Sequence, residues 1–136
     1  MGTKVNLVWN GPKVFSDIED TMVNRLDLAL MTLKNEARQL ISRVQPVVGT
    51  GTRKRGTAPS LPNTPPKRVR GFLHSSIFSE IDRKKVKGRV GTPLKYGLFQ
   101  EVGTRTIQPR PWMSVAMKNK RQRIKSILTR PIKGGD

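Results

Sequence analysis

The side chains able to do chemistry are scarce in this chain, and their spacing argues against a catalytic centre. One histidine and no cysteine occur in 136 residues. That removes disulfides, cysteine-ligated zinc or iron-sulfur sites and thiol nucleophiles, and leaves too few imidazoles for a histidine metal site or triad. His74 stands in an alternating stretch and shares its side with Phe72, Ser76 and Phe78, the pattern of a partly buried polar residue rather than a general base. Glu80 and Asp82 are the pair that could hold a metal for a nuclease. They sit at a hairpin end beside Arg83-Lys84-Lys85, where local charge balance accounts for them. Gly51 to Thr57 (GTRKRGT) has the outline of a phosphate-binding loop, but the lysine between Gly56 and Thr57 is missing. No apolar strand leads in, and Pro59 stands where a helix should begin. No enzyme activity, cofactor or metal is expected.

Cations are what the chain has in excess: 27 Lys and Arg against 9 Asp and Glu, a net charge of +18. Self-repulsion at that charge opposes compaction unless a polyanion or an acidic protein surface neutralises it. Residues 1–46 hold 6 basic and 5 acidic side chains, and residues 47–136 hold 21 and 4, so the excess is C-terminal. It concentrates at Arg53-Lys54-Arg55, at Lys67-Arg68 and Arg70, and along the last helix at Lys118, Arg121 and Lys125. These nine are the candidates for contact with a polyanion or an acidic partner. The rest of a recognition module is missing. The four Phe, two Trp and one Tyr sit at apolar positions, none interleaves the basic clusters, and no zinc-finger, RNA-recognition or helix-turn-helix spacing is present. A nucleic-acid role therefore reduces to nonspecific DNA binding. The longest aliphatic run, Leu28 to Met31, falls far short of the roughly 20 residues of a membrane span, so no membrane contact is expected.

The elements that must carry these residues form one domain, 1–136, interrupted by a basic Pro/Gly-rich arm at 47–71. Val5, Leu7 and Trp9 alternate as a short strand closed by Asn10-Gly11-Pro12. Ile18, Met22, Leu26, Ala29, Leu33, Ala37, Leu40 and Val44 then recur at steps of three and four, which predicts an amphipathic helix from Ser16 to Val44. Ser16 with Glu19 forms its capping box and Pro46 ends it. Leu28, Leu30, Met31 and Ile41 widen the stripe, which fits either a sheet on one side with another subunit on the other or a helix simply well buried in its own domain. Phe72 to Ile81 alternates as a strand, Asp82 to Lys85 turns, and Val86, Gly88 and Val90 form its partner. Thr92 and Pro93 start a short helix in which Leu94, Leu98 and Val102 share one face and Gly103 is an αL cap. Thr104 to Gln108 is expected to add a short edge strand, and Pro109-Arg110-Pro111 an extended elbow into the last helix. Trp112, Ala116, Met117, Ile124, Ile127 and Leu128 give that helix an apolar side, and it stops before Pro131. The expected class is α+β: a small antiparallel sheet packed by one long N-terminal helix and a C-terminal helix, with a long flexible basic loop.

Two stretches of the C-terminal half, Tyr96-Gly97-Leu98-Phe99-Gln100-Glu101-Val102-Gly103-Thr104 and then Arg110-Pro111-Trp112 with Ala116, form a recognisable pattern. It resembles that of the small head-tail joining proteins (neck or tail-completion proteins) of long-tailed bacteriophages. Those carry a Tyr-Ala, a Glu-aromatic-Gly-Thr, and an Arg-Pro-Phe with a nearby Ala opening the last helix. Upstream, Pro65-Pro66, Arg70-Gly71-Phe72-Leu73 and Ser75-Ser76-Ile77 are similar to that family's proline-rich approach to a strand. The departures are Gly97 for Ala, Val102 for an aromatic, Trp112 for Phe, and the basic insertion Arg53 to Gly56.

The resemblance implies a structural virion protein made in the host cytoplasm and placed at the head-tail interface. There it would form a homo-oligomeric ring that joins head to tail against neighbouring connector and tail proteins; the charge of the chain itself adds a basic arm able to reach an acidic neighbouring ring or, nonspecifically, packaged DNA. The interface candidates are Tyr96, Glu101, Gly103, Thr104, Arg110, Pro111 and Trp112. Gly103 suits a turn, Pro109 and Pro111 a stiff elbow, and Trp112 an interface anchor. Glu101, the only carboxylate between Asp82 and Asp136, should seek Arg105, Arg110 or a neighbour's cation. The plainer readings are a helix stop for Gly103, intrachain core for Trp112 and a surface ion pair for Glu101.

Overall fold

The computed structural model describes residues 11–43, 60–66 and 71–131. Its first element, α1, spans Gly11–Ser42, about 48 Å at 1.5 Å per residue. It begins five residues before the expected capping box, with Pro12 in the first turn, where a missing N–H leaves no bond unmade. Ser16 and Glu19 are therefore inside the helix. The expected strand at Val5 to Trp9, and Val44 with Pro46, lie outside the described residues.

The stripe is buried in the C-terminal half of α1, at Ala29, Leu33, Ala37 and Leu40, while Phe15 and Met22 are exposed. The cause is the length of its partner. The last helix, α4 (Met113–Thr129), runs antiparallel to α1. Asn119 Nδ2 donates to Glu36 Oε1 at 3.1 Å, and the Arg25 guanidinium donates to the carbonyls of Arg130 and Pro131, the latter at 3.0 Å. α4 thus ends beside Arg25, and residues 11–24 of α1 continue roughly 20 Å beyond it.

The predicted hairpin forms with its turn one residue later than expected, Asp82 ending the first strand and Val86 standing in the turn at φ 50°. β1 (Phe78–Asp82) pairs antiparallel with β2 (Lys87–Gly91), in a register that sets Glu80 opposite Arg89. Asp82 Oδ1 accepts the N–H groups of Lys84 and Lys85 at 3.0 and 3.2 Å, which fixes the turn. The hairpin lies on α1, where the Leu30 side chain presses against Gly88. Leu30 and Ile41, two of the residues that widen the stripe, are buried, whereas Leu28 and Met31 stay exposed.

Two stretches expected as strand take other forms. The one from Phe72 opens as a short helix, α2 (Phe72–Ser76), before β1. The alternation misleads here because Leu73 and Ile77, both buried, are also four apart and share a helical face. Ser75 N–H bonds to Gly71 O and the Ser76 hydroxyl to Leu73 O, closing the turn. Thr104 to Gln108 is a tight turn rather than an edge strand, with Thr104 N–H bonded to Ile107 O at 2.8 Å.

The arm also differs from expectation in its middle. Ser60 and Pro66 are buried, Ser60 O accepts from Arg110 Nε at 2.8 Å, and Asn63 N–H donates to Pro109 O at 2.8 Å. Residues 60–66 are thus docked on the elbow. The core joins Leu33, Ala37, Leu40 and Ile41 of α1 to Leu73, Ile77, Trp112 and Ala116. The architecture is α+β, two long helices and a two-stranded antiparallel sheet packed together. No described helix is long and apolar enough to cross a membrane.

Candidate assembly site

The motif residues gather where α3 (Lys95–Val102) meets the start of α4. Gly97 permits the approach. A Cβ there would lie 2.5 Å from Thr92 Cγ2, 3.0 Å from Leu73 Cδ1 and 3.3 Å from Trp112 Cζ2, so a side chain would press on Thr92 and Leu73 first and crowd the indole that rests on the α3 backbone. Trp112 is 3% exposed, and its Nε1–H donates to Gly97 O at 3.0 Å. Of its two readings, the structure gives the intrachain core.

Glu101 takes no ion pair with Arg105 or Arg110 in the described structure. Its Oε2 accepts the N–H groups of Trp112 and Met113 at 2.8 and 2.9 Å, and its Oε1 that of Ser114 at 3.1 Å. A carboxylate from a neighbouring helix thus caps α4, whose own first turn holds no acidic residue. Burial pushes the carboxyl pKa up, but the Ser114 hydroxyl and the three backbone donors outweigh it and hold the pKa below the ordinary glutamate value. The expected ion pair fails because three converging N–H dipoles at a helix start hold a carboxylate more firmly than a mobile surface cation does.

Gly103 ends α3 at φ 76° and ψ 173°, a positive φ but not the αL cap expected, and its N–H bonds Phe99 O at 2.9 Å. A side chain there would meet Ile107 O at 2.9 Å and the Pro109 ring nitrogen at 3.0 Å. Thr104 Oγ1 accepts the N–H groups of Thr106 and Ile107, and Arg110 ties Gln100 O to Ser60 O through its own N–H and Nε. Pro111 leads from there into α4. Glu101, Gly103, Thr104, Arg110, Pro111 and Trp112 therefore build the elbow itself, and Tyr96 is the interface candidate whose side chain stands clear of it, exposed on α3.

The surface that the elbow presents comes from its neighbours. Leu98 and Val102 are 59% and 63% exposed, with Leu94, Tyr96 and Phe99 also exposed, while Gly97 and Gln100 face inward. An amphipathic helix normally buries such a stripe; α3 turns it out. The signal available in the sequence was the glycine at 97, which marks the close-contact side.

Of the basic candidates, Lys118, Arg121 and Lys125 are exposed on α4, and Arg53, Lys54, Arg55, Lys67, Arg68 and Arg70 lie outside the described residues. Sequence reasoning missed Glu36, which is 4% exposed and receives Lys120 at 3.6 Å and Arg43 at 3.7 Å. At the hairpin, Glu80 pairs with Arg89 Nε at 2.6 Å, whereas Asp82 accepts backbone N–H groups of the turn rather than balancing a cation of Arg83-Lys84-Lys85. No protein-family model, curated protein or solved structure matches the chain.

Proposed function

We propose that this chain is a non-enzymatic virion protein of the phage neck. It joins head to tail as one subunit of a ring-shaped connector, with neighbouring connector and tail proteins as further partners. Beside the resemblance of Tyr96 to Ala116, the observation that carries this reading is the outward apolar stripe of α3, held rigid by an elbow whose polar groups are spent on internal bonds. Exposed apolar residues grouped on one rigid element mark a protein interaction surface. A closed ring needs two different complementary surfaces on each subunit. The stripe of α3 supplies one, and the overhanging start of α1, with Phe15 and Met22 exposed, supplies the other.

Two departures from the family pattern, each small or apolar like the residue it replaces, lie against each other. Gly97 stands for alanine and Trp112 for phenylalanine, and the space that the missing methyl leaves is filled in part by the larger ring. The test is removal of the gene from the phage that carries it. Negative-stain microscopy of the lysate should find filled heads and separate tails, and normally joined particles would overturn the proposal.

A further inference from the structure

α4 carries a second surface that the joining role does not require. Lys118, Arg121 and Lys125 recur at steps of three and four, and Ser114, Gln122 and Thr129 fall in the same strip, about 100° wide at 3.6 residues per turn. All six are exposed. None of the three cations has an ion-pair or side-chain hydrogen-bond partner among the described residues. Their neighbour Lys120 differs: it faces α1 and pairs with Glu36. With Asn119 bonded to the same carboxylate, that pairing fixes which side of α4 looks outward. The helix contains no acidic residue and no aromatic one, and its exposed apolar residues, Met117 and Leu128, lie at the edge of the strip.

We propose that this strip binds the phosphate backbone of duplex nucleic acid without reading its sequence. Lys118 and Lys125 are roughly 10 Å apart along the helix, a span over which a duplex carries several backbone charges, one about every 1.7 Å of its axis with both strands counted. Gln122, beside them, supplies a neutral donor of the kind that commonly accompanies such contacts, while the Ser114 and Thr129 hydroxyls are taken by Glu101 and the Lys125 carbonyl. Protein interfaces, in contrast, deplete lysine and place apolar residues at the centre; the strip has lysines at its centre and none of those residues. The helix offers no aromatic side chain on which the bases of a single strand could stack, which favours a duplex as the partner.

The test is fluorescence anisotropy of a labelled duplex titrated with the full chain between about 50 and 200 mM salt. The triple variant Lys118→Ala/Arg121→Ala/Lys125→Ala should weaken binding at least tenfold and flatten the log-log salt slope by about 0.9 for each phosphate no longer neutralised. A control, Arg83→Ala/Lys84→Ala/Lys85→Ala, removes the same charge from the hairpin turn and should stay within about twofold of the parent. Equal weakening by both triples would assign binding to net charge and overturn the proposal, as would no binding by the parent chain. Polyglutamate that displaces the duplex as well as unlabelled duplex does would mark an acidic-protein surface instead and also overturn it. Circular dichroism of both variants checks that α4 remains helical, and Lys118→Gln/Lys125→Gln repeats the measurement if the triple does not fold. These outcomes are independent of the gene-removal result, since a joining protein need not bind DNA.

Discussion

The C-terminal half of α1 and the whole of α3 carry the same kind of pattern, apolar residues three and four apart, and use it in opposite ways. In α1, Leu33, Ala37 and Leu40 are buried; in α3, Leu98 and Val102 are exposed. α1 meets α4 on one flank and the hairpin on the other, so its stripe has somewhere to go. The inward side of α3 is already occupied by bonds: the Gly97 carbonyl to the indole, the Gln100 carbonyl to Arg110 N–H, and the Glu101 carboxylate to the start of α4. A short helix can be oriented by what its backbone and polar groups must satisfy, even at the expense of its apolar face.

The sharpest way to break the comparison is to truncate one leucine from each helix. Leu40→Ala, at a site 4% exposed, should cost about 2–5 kcal/mol in urea denaturation. Leu98→Ala should cost no more than about 0.5 kcal/mol; equal costs would mean that α3 does not face outward. Next in size, Glu101→Gln should lose about 1–2 kcal/mol at neutral pH by weakening the charged cap. The sign of its pH dependence follows from the depressed pKa. The carboxylate's contribution is complete above the ordinary glutamate value, about 4.3, and is lost as pH falls through the lower folded value. The gap between parent and variant should therefore close below about pH 4. A double-mutant cycle of Gly97→Ala and Trp112→Phe should give a coupling of about 1 kcal/mol, the pair costing less than the sum of the single changes; strict additivity would separate the two residues. Smallest in stability, Leu98→Ser/Val102→Ser should leave the urea midpoint nearly unchanged while reducing self-association in sedimentation velocity.

What the sequence made legible were features that repeat. The α1 stripe persists over many turns, the hairpin has a charged turn between its strands, and α4 stops before Pro131. What it hid depends on single backbone groups. Five residues at Phe72–Ser76 satisfy both a two-residue and a four-residue period, and the bonds that decide between them are local. The anchoring of residues 60–66 rests on the Ser60 carbonyl and the Asn63 N–H, groups that every residue other than proline possesses and no pattern can flag. Glu101 stands out in the sequence for its isolation, but its partners are amides rather than a guanidinium.

The Arg25 guanidinium at the far end of α4 bears on what keeps that helix formed. α4 has five basic residues and no acidic one, so successive turns repel and no internal ion pair offsets this. Its N-terminal amides are closed by a carboxylate from α3, of the sign that the helix dipole favours there, and the two residues that follow its last turn are held by a guanidinium from α1. As an isolated peptide this segment would be mostly coil. Its helical form in the folded chain therefore rests on docking against α1 and α3, so α4 and the buried half of α1 stand or fall together.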